Sequence, residues 1–359
     1  MKRFGAMSSP EEANEMPEGM ETAPRRFVSA EDVAAFAGVS RSAVSRAFTP
    51  GASIAPATLA RVQKAADALG YQVNDLARGL LAHRSRLVGL VTSDADTPFR
   101  AQMIAAISLA LIRRGNLPAI VNVGRTADDV ATASRQLLRN RAEATIFLSG
   151  SPPASLVEMT RRNGQTLILI SRAEAGLDSV RCDDRDGARQ AFEALRGTGA
   201  SRFGVVTMEH PKPSLLARER AFTRLAADSG AITTVVRAGQ PDYAGGQDAA
   251  RRLLGGGRPP EALFCVNDLM AFGALDYLRA AGLRVPNDIS IIGFDDVPMS
   301  AWHSYRLTTL RQDTERIARE VVSVLDRRSV EPDSPPISVC FPSDLVVRDT
   351  VKGLRRHSS

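Results

Sequence analysis

No stretch of this 359-residue chain approaches the roughly 18 consecutive apolar residues that span a bilayer, so no transmembrane helix is expected. Residues 1–26 hold neither an apolar h-region nor a small-residue cleavage site; they are acidic and rich in Pro, Gly and Glu, which argues against export and for a disordered extension. Cysteine is scarce. Cys182, Cys265 and Cys340 are widely spaced in apolar or strand-like surroundings and read as reduced core residues of a cytosolic protein. The four histidines, His83, His210, His303 and His357, stand at no ligand spacing from Cys or acidic residues, so no metal site is expected. G-x-S-x-G, P-loop and H-E-x-x-H patterns are missing, and the glycines at 255–257 precede a strand candidate instead of opening a helix. Neither an enzyme nor a bound cofactor is expected.

The chain is long enough for a large core, and its 44% apolar content is that of a globular protein. A net charge of +6 and a sequence pI near 9.6 permit nucleic-acid binding without requiring it. Part of that excess is the pair Arg25 and Arg26 and the basic tail over 352–359.

The window over 28–48, VSAEDVAAFAGVSRSAVSRAF, carries the most information. Ser29 and Asp32 stand at the two positions of a capping box, with Val28 and Val33 placed as a hydrophobic staple, so a helix starts near Ala30. Val33, Ala34, Phe36 and Ala37 would supply its apolar side, and Gly38 permits the turn. Ser40 then caps a second helix, whose Ala43, Val44, Ala47 and Phe48 make an inward stripe. Arg41, Ser42, Ser45 and Arg46 are left facing outward together. Such a pair fits either a helix-turn-helix, whose second helix enters the major groove, or a plain helical hairpin with a solvated face.

Residues 55–71 read as a third helix with Pro56 at its first position and Leu59, Val62, Ala66 and Leu69 as the buried stripe. The domain spans 27–73. Next comes Asn74 to Leu81, NDLARGLL, an Asn-capped segment too short to be stable alone, and a basic run from His83 to Arg86; together 74–86 form a linker that orders only against a partner.

From Arg86 on, short β-rich runs alternate with amphipathic stretches, an α/β pattern. Strands are expected over 87–91, 119–123, 145–148, 167–170, 203–207, 233–236, 262–266 and 289–294. Ligands of open α/β sheets bind beyond the strands' carboxyl ends. There the sequence places Thr92-Ser-Asp-Ala-Asp-Thr-Pro-Phe99, Ser149-Gly-Ser151, Asn267-Asp268 and Asp295-Asp296, groups able to hydrogen-bond a polyol or sugar acid. Asn267, Asp268, Asp295 and Asp296 could equally cap helices or turns.

DVAAFAGVSRSAVSRAF, LGYQVNDLARGLL, VNDLMAFGAL and ISIIGFDDVP, in that order, resemble the signatures of the lactose repressor (LacI/GalR) family of bacterial transcription regulators. The resemblance runs from about 28 to 351. It implies an all-α helix-turn-helix domain followed by a periplasmic-binding-protein-like core over 87–351. That core would hold two doubly wound parallel-sheet subdomains, the first taking about 87–175 with a returning segment near 312–328. It further implies DNA contacts by Ser40, Arg41, Ser42, Ser45, Arg46, Asn74, Arg78 and Leu80, with Arg41 and Ser42 setting the operator sequence and Leu80 wedging into the minor groove beside its dimer mate. For the effector it implies Phe99, Arg218, Asn267, Asp295 and Gln312, with Trp302 nearby. The expected partners are pseudo-palindromic double-stranded operator DNA, a small-molecule effector of the sugar or sugar-acid class, and a second copy of the chain; the expected location is the cytoplasm, at the nucleoid. Departures from the family pattern are Ala43 for Thr, Phe48 for a smaller aliphatic, Ala55 for a Ser cap, Val73 for Pro, and Arg100 for the second aromatic after Pro98. Arg100 either favours an acidic ligand or lies on the surface. A sugar receptor with an incidental helical N-terminus is the rival, opposed by the missing export signal and the Arg-rich linker.

An apolar wedge unstacks a base step at roughly a few kcal/mol, offset by contacts on bent DNA. Leu80→Ala should therefore keep salt-sensitive, non-specific binding but lose most of the operator bend, read by gel-shift bending assays at several salt concentrations. An unchanged bend would make the segment a plain linker.

Overall fold

The computed structural model describes residues 26–49, 51–73, 86–124, 126–150 and 152–354. The expected extension over 1–25, most of the linker with Asn74, Arg78, Leu80 and His83, Ser151 and the tail from 355 lie outside the described residues. The chain forms two compact units, one ending at Arg78 and one beginning at Gly79.

In the first unit, helices α1 (Ala30–Ala37), α2 (Arg41–Ala47) and α3 (Pro56–Leu69) surround a small core. Both halves of the Ser29/Asp32 capping box form, and the Ser29 hydrogen bonds hold the Asp32 carboxyl down to about 2. Gly38 ends α1 at φ 62°, a left-handed conformation that glycine adopts without strain. Val33, Ala34, Ala37, Val44, Val62, Ala65 and Ala66 fill the interior. Phe36 corrects the sequence reading: it is 63% exposed, because buried Val33, Ala34 and Ala37 already define α1's inward arc and position 36 falls off it. Ala55 caps α3 with no side-chain bond, leaving Pro56 to start the helix.

The second unit holds two six-stranded sheets. The first runs β1 (Leu87–Thr92), β2 (Leu117–Asn122), β3 (Ala144–Phe147), β4 (Thr166–Ile170), β5 (Asp178–Cys182) and β11 (Ser338–Phe341), in the spatial order β11-β5-β4-β3-β1-β2, every pair parallel. Helices α4 (Pro98–Arg114), α5 (Ala127–Arg139), α6 (Ala154–Arg162) and α11 (Thr314–Val330) complete that subdomain. Its strands alternate between two cores: Val88, Leu90, Ile146 and Ile168 face one, while Val91, Phe147, Leu167 and Leu169 face the other.

The second sheet holds β6 (Arg202–Met208), β7 (Ile232–Ala238), β8 (Ala262–Cys265), β9 (Ser290–Asp295), β10 (Thr308–Arg311) and β12 (Asp344–Val346), ordered β12-β10-β9-β8-β6-β7. Only β12 pairs antiparallel. Helices α7 (Asp184–Arg196), α8 (Pro213–Asp228), α9 (Tyr243–Gly255) and α10 (Asp268–Ala280) belong to this subdomain.

The chain crosses between sheets three times, at 182–184, 311–314 and 341–344, each beyond a strand's carboxyl end. The expected boundary at 175 and return over 312–328 are therefore too short. The first subdomain also takes β5 and β11. β5, DSVRC, does not read as a core strand because it starts on a carboxylate. Asp178 is buried by the Arg328 guanidinium, at 2.7 and 2.6 Å, and by the Ile337 N–H. Cys182 and Cys265 are buried as expected, but Cys340 is exposed because it points off the edge strand β11.

Asp268 ties the second subdomain together. Fully buried at the start of α10, it accepts hydrogen bonds from Val297 N–H (2.9 Å), Ser300 Oγ (2.7 Å) and Thr309 Oγ1 (2.5 Å). Burial raises its pKa, and the nearby Asp295 charge adds to that, against the three donors. The folded state thus holds a proton that the unfolded chain releases near pH 4. The stability this contributes is complete below that pH and is lost as pH rises through the folded value. Asp268→Asn stays neutral throughout, so its melting temperature should gain on wild type steadily from pH 5 to 9. A gap that stays flat or widens against the variant would show Asp268 ionised over the whole range.

Candidate functional site

Two surfaces carry chemistry, one on each unit. On the first, α2 buries Ala43 and Val44, half-buries Ala47 and Phe48, and exposes Arg41, Ser42, Ser45 and Arg46, as its spacing predicts. Ser40 is also exposed, but its hydroxyl is engaged, accepting from the Ala43 N–H at 3.3 Å and lying 2.9 Å from Ser42 Oγ. Arg41 pairs with Glu31 at 2.9 Å, both side chains largely in solvent. An exposed pair of this kind is worth about 0–1 kcal/mol, so Arg41 can leave it at little cost. Arg61, from α3, holds the turn before α2 by donating to the Ala37 and Gly38 carbonyls at 2.5 and 3.0 Å. Sequence reading missed Arg61, since an arginine on an exposed helix face carries no sign of a distant carbonyl.

On the second unit, the carboxyl edges of the two sheets face one another. Lys212, before α8, pairs with Asp94, after β1, and Phe99 packs against both subdomain cores. The centre of this cleft is Arg218. Only 2% exposed, it donates to Asp184 (2.8 Å), to the Val266 carbonyl (2.8 Å) and to Asp295 (3.3 Å), and its guanidinium carbon lies 3.6 Å from the Phe294 ring centroid. Gln312 Nε2 donates to the same Asp295 oxygen at 2.6 Å. Burial raises the Asp295 pKa, with Arg218 and Gln312 pulling it back.

Asp295 and Asp296 have φ of 121° and 55°, a strained backbone for non-glycine residues. The Asp296 carboxylate fixes the turn, accepting from Arg311 and Arg348 at 2.7 Å each. Beside it a crevice of about 250 Å³ is lined by Gln102, Asp295, Asp296, Arg311, Gln312, Asp313 and Thr314. That is small beside the roughly 300–1,000 Å³ of pockets for drug-sized ligands.

Of the expected effector residues, Phe99, Arg218, Asp295 and Gln312 sit at the cleft, and the last three are in direct contact. Asn267 is occupied otherwise: its oxygen caps α10 by accepting from Met270 N–H (2.9 Å) and its amide donates to the Pro241 carbonyl (2.8 Å). Trp302 is 57% exposed after a short turn, Pro298–Ala301. Asp184 was missed because it follows β5, the strand whose polar sequence hid it. Arg100 is not an outward surface residue: it donates to the Leu148 carbonyl and feels both Asp94 and Asp295.

Residues 30–74 match the model of bacterial regulatory proteins, lacI family, and residues 192–351 match a periplasmic binding protein-like domain. The HTH-type transcriptional regulator GalR of Escherichia coli K12 is 33% identical over 324 residues, 89% of this chain and 94% of its own length. The lac repressor dimer bound to operator and the anti-inducer ONPF has a TM-score of 0.82 at 25% identity, covering 90% of this chain and 99% of that one. A complex of the transcriptional regulator CelR with cellobiose has a TM-score of 0.67 at 27% identity, with the same coverage. A helix-turn-helix region followed by two α/β subdomains, matched along nearly its whole length by regulators, places the chain in the lacI family of bacterial transcriptional regulators.

Proposed function

We propose that this regulator is a repressor that binds a pseudo-palindromic operator as a homodimer and is controlled by a sugar or sugar acid held between its core subdomains. The observation that carries the DNA half is the face of α2, where Arg41, Ser42, Ser45 and Arg46 stand exposed on a helix whose opposite side is core. Arginine reads guanine O6 and N7 bidentately, and serine serves bases or phosphates. Asn74, Arg78 and Leu80 are assigned to the operator by motif alone.

Dimerisation is supported by apolar side chains left in solvent at the sheet edges: Leu117 and Ile120 on β2, with Ile112 on the helix before it, and Ile232 on β7 are each more than half exposed. Two copies would bury them. Among the described residues no helix is long and apolar enough to cross a membrane, and a repressor works where the chromosome is, so the cytoplasm is the proposed location.

The cleft half rests on the Arg218, Asp295 and Gln312 cluster, with Phe99 as the apolar wall for a sugar ring. An effector changes operator affinity only through unequal affinity for the two arrangements of the core.

Arg41→Ala should cost about 1–3 kcal/mol on the native operator and relax preference at one symmetric pair of base positions, measured by titrating operator variants. An equal loss on every variant would place Arg41 on phosphate. For the cleft, a panel of sugars, sugar acids and nucleosides screened by thermal shift identifies compounds that raise the wild-type melting temperature. Asp295→Ala should abolish that shift and the compound's effect on DNA, while ligand-free operator binding persists; a response at parental concentration overturns the assignment.

A further inference from the structure

Several arginines along the cleft are matched to carboxylates. Arg218 has Asp184 and Asp295, Arg311 and Arg348 share Asp296, and Arg172 has Glu174. Arg100, in the first turn of α4, forms no ion pair among the described residues. One of its nitrogens donates to the Leu148 carbonyl and lies 3.6 Å from Met103 Sδ. Asp94 and Asp295 are near enough to act on its charge, but Asp94 is taken by Lys212 and Asp295 by Arg218 and Gln312. Burial consequently disfavours its charged form. A guanidinium has five N–H donors in a fork that suits two oxygens of one anion. Arg100 is partly buried and holds only the Leu148 carbonyl and the Met103 thioether, so most of its fork is open to an anion in the cleft.

Resting on the reading of the cleft as the effector site, we propose that Arg100 is its anion subsite and that the effector is a polyol carrying a carboxylate or phosphate. Such a molecule places hydroxyls against Asp295 and Gln312 on the second subdomain, its ring on Phe99, and its anion on Arg100 of the first. Binding then joins the two subdomains through charges that the ligand-free protein leaves unbalanced. A neutral sugar satisfies only the Asp295 side.

The test is thermal unfolding of the full chain at constant ionic strength with D-glucose, D-gluconate, D-glucose 6-phosphate or inorganic phosphate at tens of millimolar. Gluconate or a phosphate probe should raise the melting temperature beyond glucose and beyond sodium chloride, and whichever does so separates the carboxylate from the phosphate source. Arg100→Gln should weaken the anionic probe by about tenfold or more, and Arg100→Lys should keep part of the effect. Without ligand, Arg100→Gln should melt no lower than wild type, since it deletes an unpaired charge, which also establishes that the variant folds. An equal anion response in Arg100→Gln overturns the proposal, as does the absence of any anion-specific shift in wild type. If glucose alone protects, through Asp295, the cleft reading stands and the anion subsite falls. If Asp295→Ala responds to the anion as wild type does while Arg100→Gln does not, Arg100 binds anions outside the effector site and the proposal falls with that reading.

Discussion

The Arg218 guanidinium is the group on which the core's geometry turns, because it is buried where two of the three chain crossings meet. Asp184 follows directly on the first crossing and holds the guanidinium from one side. Gln312 lies on the second crossing and reaches the same Asp295 that Arg218 holds from the other side. The Phe294 ring beneath is pinned in turn by α7: a Cβ on Gly187 would fall 2.7 Å from it, so only glycine lets that helix come so close. Removing one member leaves its partners buried and unsatisfied, typically at 3–5 kcal/mol for a broken buried pair. The network is therefore rigid, and what binds Asp295 acts directly on the segments that join the subdomains.

Rigidity at the crossings contrasts with the weak closure at the cleft's mouth. There the subdomains meet through the Lys212 and Asp94 pair, with Lys212 nearly half exposed, and through partly buried Phe99. A contact of that exposure contributes about 1 kcal/mol at most. The crossings can stay fixed while the mouth opens, which is the arrangement of a hinge.

How far the sequence discloses this depends on whether a residue's role is local. The helix-turn-helix is legible because caps, staple and stripe all lie within a few residues of what they bond; the Ser29/Asp32 box forms as read. Phe36 is the exception, since apolar type and approximate spacing placed it inward while the arc filled without it. The eight strands read as apolar runs are present, within two residues at their ends. β5, β10, β11 and β12 were missed, being short, polar in part or at sheet edges, and stabilised by distant partners such as Arg328. Asn267 shows the same limit at the site: its residue type and place after β8 suit a ligand contact and a helix cap equally, and only the Pro241 carbonyl and the Met270 N–H reveal what it bonds.

Arg100 extends that argument from geometry to selection. At the position next to Phe99, an aromatic side chain would contribute packing in the ligand-free protein and contact with any sugar ring. An arginine there gives up that packing, and burial without a carboxylate works against its charge whenever the cleft is empty. In the ligand-free arrangement the carboxylates near enough to act on Arg100, Asp94 and Asp295, are engaged by Lys212 and by Arg218. A ligand anion removes that conflict only in the closed arrangement, where both walls reach it. On the proposal that Arg100 is the anion subsite, the differential affinity that an allosteric regulator needs has a physical source in one side chain, which an anion held by both walls neutralises.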